Sequence, residues 1–200
     1  MSASRTVSQT RKITVTAMLS AVSFLLMFIE FSIPMIIPSF VKMDISDLPA
    51  LIGAFALGPV YGVVIEVLKN LLHILIKGTS SAGIGELCNA VLGAAFALAA
   101  GLIYLKHHTR KGAVIASLAG AAAMAVVSLP MNYFVTYPFY ASLFGGMENI
   151  IGAYQAILPS VDSLLQCLVI FNMPFTLFKG LLDVLLCLLI YKPLSNVIHR

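Results

Sequence analysis

The sequence predicts an all-α membrane protein, a single unit over residues 1–200 that folds as a bundle of six transmembrane helices. Of its 200 residues 60% are hydrophobic and 10% are charged, and the mean hydropathy is +1.01. A soluble domain of this composition would lack polar surface cover. The apolar runs are continuous and do not alternate, which argues against a membrane-spanning β-barrel.

The distribution of charge predicts the orientation of the bundle in the cell membrane. The net charge of +4 comes from loops and chain ends, so we expect no nucleic-acid partner. Cytoplasmic segments of membrane proteins carry an excess of Lys and Arg. On the six-span path, Lys42 and Lys77 fall outside. The cytoplasmic side receives Arg5, Arg11, Lys12, Lys106, Arg110, Lys111, Lys192 and Arg200. Both termini are therefore expected in the cytoplasm.

The first span is expected over residues 13–33, ending before Pro34 and Pro38. Its cytoplasmic half carries Ala17 and Ala21, a pair of small residues one turn apart that allows a second helix to approach closely. Such pairs occur in many helix contacts, so the spacing alone does not identify a partner.

The second helix is expected to be short. Asp47, Leu48 and Pro49 form a helix start with proline in the first turn, and Gly58-Pro59 ends the helix. The ten intervening residues, 48–57, extend only about 15 Å, roughly half a bilayer.

The third span, residues 60–76, places several polar groups on one narrow face. Glu66 and Lys69 could pair internally along the helix, or the face could contact a ligand. The pattern favours neither. The residues concerned are Glu66, Lys69, Asn70, His73 and Lys77.

The remaining spans are expected over residues 86–105, 113–137 and 173–192. Glu86 opens the fourth span, and Asn132 lies in the polar half of the fifth, where it could join two helices or contact a ligand. The segment 138–171 between the last two spans is expected outside the membrane, with a surface or re-entrant helix.

The last span carries a lysine inside the membrane. Asn172 and Pro174 read as an N-cap and a first-turn proline. Lys179 then lies roughly 9 Å below the helix start, where a charge costs at least about 2.5 kcal/mol. Thr176 and Asp183 share its face. Lys179 could pair with Asp183 for structure alone, or the stripe could line a polar site facing outside.

The motifs of an enzyme are missing from the sequence. It contains no Walker sequence, no HExxH and no Cys/His set for a metal, and we expect no cofactor. Cys88, Cys167 and Cys187 are interpreted as small core residues. An intramembrane enzyme using Glu66, His73 or Glu86 as acid or base is a much less favoured alternative. A purely structural bundle, which would bind no small molecule tightly, is another. We interpret the chain as a binding subunit that needs energy from elsewhere.

Three segments carry a resemblance to a known family. They are KMDISDLPALI at 42–52 followed by Gly58-Pro59, LKNLL at 68–72, and PFTLFKG at 174–180. With these motifs the chain resembles the substrate-binding S components of energy-coupling factor (ECF) transporters, most closely the riboflavin-specific ones. The likeness covers nearly the whole chain.

The resemblance implies a six-helix bundle that captures a vitamin in an outward-facing pocket, with riboflavin as the preferred substrate. It implies Asn132, Thr176 and Lys179 as substrate contacts, with Asn172 and Glu86 as further ones. Ala17 and Ala21 would contact a membrane coupling protein, and two ATPase subunits would supply the energy. Another vitamin, such as thiamine or a pantothenate-like compound, is the alternative substrate.

Overall fold

A computed structural model of the chain describes the backbone of residues 8–198 and the side chains of residues 8–190. Arg5 and Arg200, used above to predict the orientation, lie outside these residues, as does the Lys192 side chain. Over the described range the regular structure is helical. Its helices are α1 (Gln9–Met27), α2 (Leu48–Leu57), α3 (Pro59–Ile76), α4 (Ile84–Lys106), α5 (Arg110–Met131), α6 (Tyr137–Leu143), α7 (Met147–Gln155), α8 (Leu164–Cys167) and α9 (Met173–Ile198).

Five stretches of the described chain are long and apolar enough to cross a membrane: α1, α3, α4, the run Arg110–Leu143 and the run Leu164–Ile190. The helix α2 is apolar but only ten residues long, as the sequence predicts. Large apolar side chains such as Ile13, Met18 and Leu25 lie exposed on α1. Lipid would cover them in a membrane.

Helix α1 ends earlier than expected. It stops at Met27, whereas the apolar run predicts a helix to residue 33. Beyond it, Phe31 and Met43 exchange two backbone hydrogen bonds of 3.0 and 2.8 Å. That pairing requires extended backbone, and Pro34 independently disfavours a helix at the residue before it. Residues 28–47 therefore form a loop that returns over one end of the bundle.

Small residues let the central helices pack closely. A Cβ atom at Gly62 on α3 would lie 2.9 Å from both the Ala50 carbonyl oxygen and the Ala97 side chain. One at Gly120 on α5 would lie 2.8 Å from the Phe96 carbonyl oxygen. Neither position has room for a side chain, so the glycines set the spacing of α2, α3, α4 and α5.

Two π-helical segments interrupt the long apolar runs. They cover Asn132–Thr136 and Leu168–Asn172, and in each case a proline, Pro138 or Pro174, lies two residues beyond the segment. Proline cannot donate the i→i−4 hydrogen bond. A π segment shifts the bonding register by one residue, so the helix continues across the proline.

The second π segment corrects the predicted start of the last helix. Asn172 is not an N-cap, because the backbone is already helical from Leu164 onward. The expectation failed since Pro174 also fits a helix start, and the sequence does not distinguish a first-turn proline from one that follows a π segment. The Asn172 side chain is instead free to bond across the bundle.

Candidate functional site

A cavity of about 610 Å³ opens at the end of the bundle where α1 stops. Its walls come from the 28–47 loop, α3, α4, the first π segment and α9. All five residues expected to bind substrate line this cavity: Glu86, Asn132, Asn172, Thr176 and Lys179. Each of them is buried in the protein.

Lys179 lies at the cavity wall and reaches the 28–47 loop. Its Nζ is 3.2 Å from Asp44 Oδ2 and 3.1 Å from Asp47 Oδ2, and it donates a longer bond of 3.4 Å to Asn89 Oδ1. The local pair with Asp183, considered above, is not formed among the described residues. The Asp183 carboxylate oxygens are buried without a hydrogen-bond partner there.

Lys69 occupies a second ionic site behind Lys179. Its ammonium contacts Glu66 Oε2 at 2.7 Å, donates to Ser46 Oγ at 2.9 Å and forms a short ion pair with Asp47. Of the two alternatives left open by the sequence, the internal Glu66–Lys69 pair is the one that is formed. It also extends to the loop, since Asp47 contacts both lysines.

Asp44 is held by groups of the loop itself as well. Asp44 Oδ1 accepts hydrogen bonds from the Ser46 backbone N–H at 2.8 Å and from Ser46 Oγ at 2.6 Å. Ser23 on α1 donates to the Ser46 carbonyl oxygen. These contacts fix Asp44, which is buried, beside Ser46 and the first helix.

Asn172 belongs to a closed set of three hydrogen-bonding side chains. Tyr154 Oη donates to Asn172 Oδ1 at 2.5 Å, and Asn172 Nδ2 donates to Tyr137 Oη at 2.6 Å. A short hydrogen bond joins the two tyrosine hydroxyls. Tyr137 lines the cavity, and Tyr154 lies behind it.

Asn132 and Thr176 line the cavity from the first π segment and from α9. Asn132 Oδ1 accepts a weak hydrogen bond from Cys88 Sγ at 3.6 Å. Cys88, Cys167 and Cys187 are free and buried, which confirms their interpretation as core residues.

Glu86 lies where α4 begins, beside the cavity. Its Oε1 is 3.2 Å from His73 Nδ1, and its Oε2 accepts hydrogen bonds from Thr79 at 2.9 Å and Ser81 at 3.3 Å. The carboxylate therefore joins the end of α3, the following loop and α4.

Three charged groups lie at the mouth of the cavity. Glu30 Oε1 is 2.6 Å from Lys42 Nζ and 2.7 Å from Lys77 Nζ. Partial burial alone would raise the pKa of Glu30, but the hydrogen bonds and charges of the two lysines outweigh it and lower that pKa below its ordinary value. The trio joins two parts of the 28–47 loop to the end of α3.

Five residues of the site were not assigned from sequence. Asp44, Asp47 and Asn89 contact Lys179 from distant parts of the chain, and Tyr137 and Tyr154 hold Asn172. A signal existed for Asp44 and Asp47, which lie inside the KMDISDLPALI motif. Tyr154 falls in a segment expected outside the membrane, and the sequence around it gave no signal for a role in the site. Over the described residues, no cluster of three or more His, Cys, Asp or Glu is arranged to hold a metal ion.

The chain belongs to the substrate-specific components of ECF transporters, since that family description, "ECF transporter, substrate-specific component", matches residues 11–191. A solved structure of the S component of a bacterial ECF transporter superposes with a TM-score of 0.74 at 28% identity, covering 96% of this chain and 100% of that one.

Relatives within the family are riboflavin transporters. RibU of Staphylococcus aureus is 30% identical over 96% of this chain and 94% of its own length. FmnP of Bacillus subtilis is 31% identical over 95% of each chain. RibU of Streptococcus thermophilus is 30% identical over 96% of this chain and 87% of its own length. The family membership identifies a transporter component.

Proposed function

We propose that this chain is the riboflavin-binding S component of an ECF vitamin uptake transporter. The observation that carries the proposal is its similarity, over nearly the full length, to three riboflavin transporters. The cavity supports it on physical grounds. Its volume of about 610 Å³ lies within the range of small-molecule sites, roughly 300–1,000 Å³.

The chemistry of the cavity suits a neutral, partly aromatic ligand with many hydroxyl and carbonyl groups. Leu92, Met124 and Phe175 offer apolar walls for a flat ring. Asn132, Thr176 and Lys179 offer amide, hydroxyl and ammonium groups. A buried polar ligand atom is costly unless it is hydrogen-bonded, so these groups would select a ligand whose polar atoms match them. Thiamine, a cation, would meet an unfavourable charge at Lys179.

Titration of the ligand-free protein in detergent with riboflavin, FMN, thiamine and pantothenate tests this proposal. The change in riboflavin fluorescence on addition of protein would measure riboflavin binding, and calorimetry would measure the other three ligands. We expect riboflavin to bind far more tightly than thiamine or pantothenate. A protein that binds one of those two tightly and riboflavin weakly would belong to the alternative substrate class.

We further propose six membrane helices with both ends in the cytoplasm and the cavity facing outside. Lys12 Nζ lies 5.6 Å from the centre of the Tyr61 ring, so α1 and α3 begin at the same end of the bundle. Gly101 on α4 packs against Pro59 at the start of α3, so that end also carries Lys106 and Arg110. The cavity, which Lys77 lines beyond the last residue of α3, lies at the other end. The positive-inside rule then assigns the cavity to the outer side.

Cysteine labelling in intact cells tests the orientation. Ser160→Cys lies in the exposed turn between α7 and α8, and His108→Cys lies in the exposed turn between α4 and α5. An impermeant thiol reagent should label the first and spare the second. The native protein, whose cysteines are buried, supplies the background. The reverse pattern would place the cavity in the cytoplasm.

Ala17 and Ala21 are proposed as the contact with a membrane coupling protein that works with two ATPase subunits. Both side chains are exposed on α1 and one turn apart, away from the cavity. Replacing both with leucine would block the close helix approach that small residues allow. We expect riboflavin uptake to fall while riboflavin binding is retained. Loss of binding in a folded variant would assign this face to the bundle itself.

A further inference from the structure

We infer that Tyr154 is a positioning residue for riboflavin binding: it holds the amide of Asn172 in place through a hydrogen-bonded ring that also contains Tyr137. The inference rests on the proposed function, because it takes Asn172 as a group that meets the substrate. It adds a residue that does not line the cavity.

The direction of each hydrogen bond in the ring follows from the number of hydrogens available. Tyr154 has a single hydroxyl hydrogen, which it donates to Asn172 Oδ1. The bond between the two tyrosines must therefore be donated by Tyr137. Asn172 Nδ2 closes the ring by donating to Tyr137 Oη. Each member donates once and accepts once, an arrangement in which the bonds polarise and strengthen one another.

The ring leaves Asn172 half of its hydrogen-bonding capacity. A side-chain amide has two N–H donors and an oxygen with two lone pairs. One donor is used by Tyr137 and one lone pair by Tyr154. The second N–H and the second lone pair are left for a group in the cavity, which Asn172 lines. A ligand would meet an amide whose plane is already set.

Holding the Asn172 amide in place before the ligand binds raises the affinity, because ordering a side chain on binding costs free energy. Tyr137 and Tyr154 are themselves held firmly. Both are almost completely buried, and their rings pack against Phe40 and, for Tyr154, against Phe171 with centroids 5.3 Å apart. The three bonded groups come from α6, α7 and the second π segment, so the ring also fixes α7 relative to the cavity wall.

Tyr154→Phe is the cleanest test, because Tyr154 does not line the cavity. The substitution removes one hydroxyl and keeps the aromatic ring and its packing. We expect the riboflavin Kd to rise about three- to tenfold, the effect of one hydrogen bond. Tyr61→Phe is the matched control, since it removes a tyrosine hydroxyl outside the cavity and should leave the Kd unchanged.

A double-mutant cycle separates positioning from general stability. If Tyr154 acts through Asn172, the variant carrying both Tyr154→Phe and Asn172→Ala should bind riboflavin no more weakly than Asn172→Ala alone. A tyrosine that merely stabilises the fold would lower the unfolding temperature without this non-additivity. Tyr137→Phe, which breaks the same ring at another corner, provides a second variant if Tyr154→Phe folds poorly.

The outcomes distinguish a failure of the positioning role from a failure of the proposed function. The wild-type protein could bind riboflavin normally while Tyr154→Phe and Tyr137→Phe both keep a Kd within about twofold of the wild-type value. That result would overturn the positioning role alone. Additive losses in the double variant would do the same. A wild-type protein that does not bind riboflavin would overturn the proposed function together with the role of Tyr154.

Discussion

Lys69 and Lys179 are two buried ammonium groups that share a partner, Asp47, yet their surroundings differ. Lys69 is fully enclosed, and its contacts with Ser46, Asp47 and Glu66 are short. Lys179 borders the cavity, and its contacts with Asp44, Asp47 and Asn89 span 3.1–3.4 Å. The first lysine is surrounded by protein acceptors, whereas the second faces an open space with longer bonds.

The difference assigns the two charges to different tasks. A buried charge is retained at a considerable cost in desolvation, and removing one partner leaves the other unpaired. Glu66 has no other ion-pair partner than Lys69 among the described side chains. The acids that contact Lys179 are held elsewhere too, Asp47 by Lys69 and Asp44 by Ser46. We therefore expect Lys69 to serve the fold and Lys179 to serve a ligand.

Lys69→Met should have the largest effect on stability. The substitution leaves Glu66 buried without its ammonium partner and removes one of the two lysines that contact Asp47. Breaking a buried ion pair costs about 3–5 kcal/mol. We expect a much lower unfolding temperature for the ligand-free protein in detergent, measured by thermal denaturation.

Lys69→Met combined with Glu66→Gln is the matched control for that prediction. The second substitution removes the stranded carboxylate, so the double variant should recover part of the lost stability. If the Lys69→Met variant is as stable as the wild type, Lys69 does not stabilise the fold, and the proposed difference between the two lysines is wrong.

Lys179→Met should affect riboflavin affinity more than stability. A hydrogen bond to a charged group contributes about 1.5–3 kcal/mol, which corresponds to a ten- to hundredfold rise in Kd. The ligand-free unfolding temperature should fall much less than in Lys69→Met, because Asp44 and Asp47 keep other partners. Fluorescence titration and thermal denaturation of the same preparation measure both quantities.

The opposite ordering would assign Lys179 to the fold. A strong loss of ligand-free stability, with a riboflavin Kd within about twofold of the wild type, would mean that the ammonium serves Asp44 and Asp47 alone. Lys69→Met is the reference for both quantities, since both variants replace a buried lysine with methionine.

Much of the fold could be predicted from local signals. The bounds of α2 match the prediction because proline after Asp47 and the Gly58-Pro59 pair mark both ends. The polar stripe of the last span was predicted to be buried because a period of 3.6 residues places Asn172, Thr176 and Lys179 on one face. All three are buried and line the cavity.

The partners of that stripe could not be predicted, because they are distant in the chain. Lys179 and Asp44 are 135 positions apart, and sequence periodicity carries no information on such contacts. Asp183, four residues away, is the partner that a local pattern suggests, yet Lys179 reaches the loop instead. The ring around Asn172 was missed for a second reason. A π segment has no sequence signature here that separates it from a helix start at Pro174.

The smallest expected effect concerns Glu30, whose ion pairs lie at the cavity mouth and not inside the bundle. Its partners Lys42 and Lys77 are 46% and 33% exposed, so water and salt screen both pairs. Exposed ion pairs contribute about 0–1 kcal/mol. Glu30→Gln should therefore lower the unfolding temperature far less than Lys69→Met and leave the riboflavin Kd nearly unchanged. Glu148→Gln, which changes an exposed acid on α7, is the control.

The pH dependence of the Glu30→Gln effect has a definite sign. The lysines lower the pKa of Glu30 from its ordinary value of 4.5, so the folded protein binds a proton there less readily than the unfolded chain does. The stabilisation is complete above that ordinary value and is lost as the pH falls through the lowered pKa. The difference between wild type and Glu30→Gln should thus be constant from pH 8 to about pH 5 and shrink at lower pH. It should also shrink in about 1 M salt, where the Debye length falls to about 3 Å. A difference that persists in salt and acid would show that Glu30 acts through packing, and the mouth would then resemble the enclosed site of Lys69.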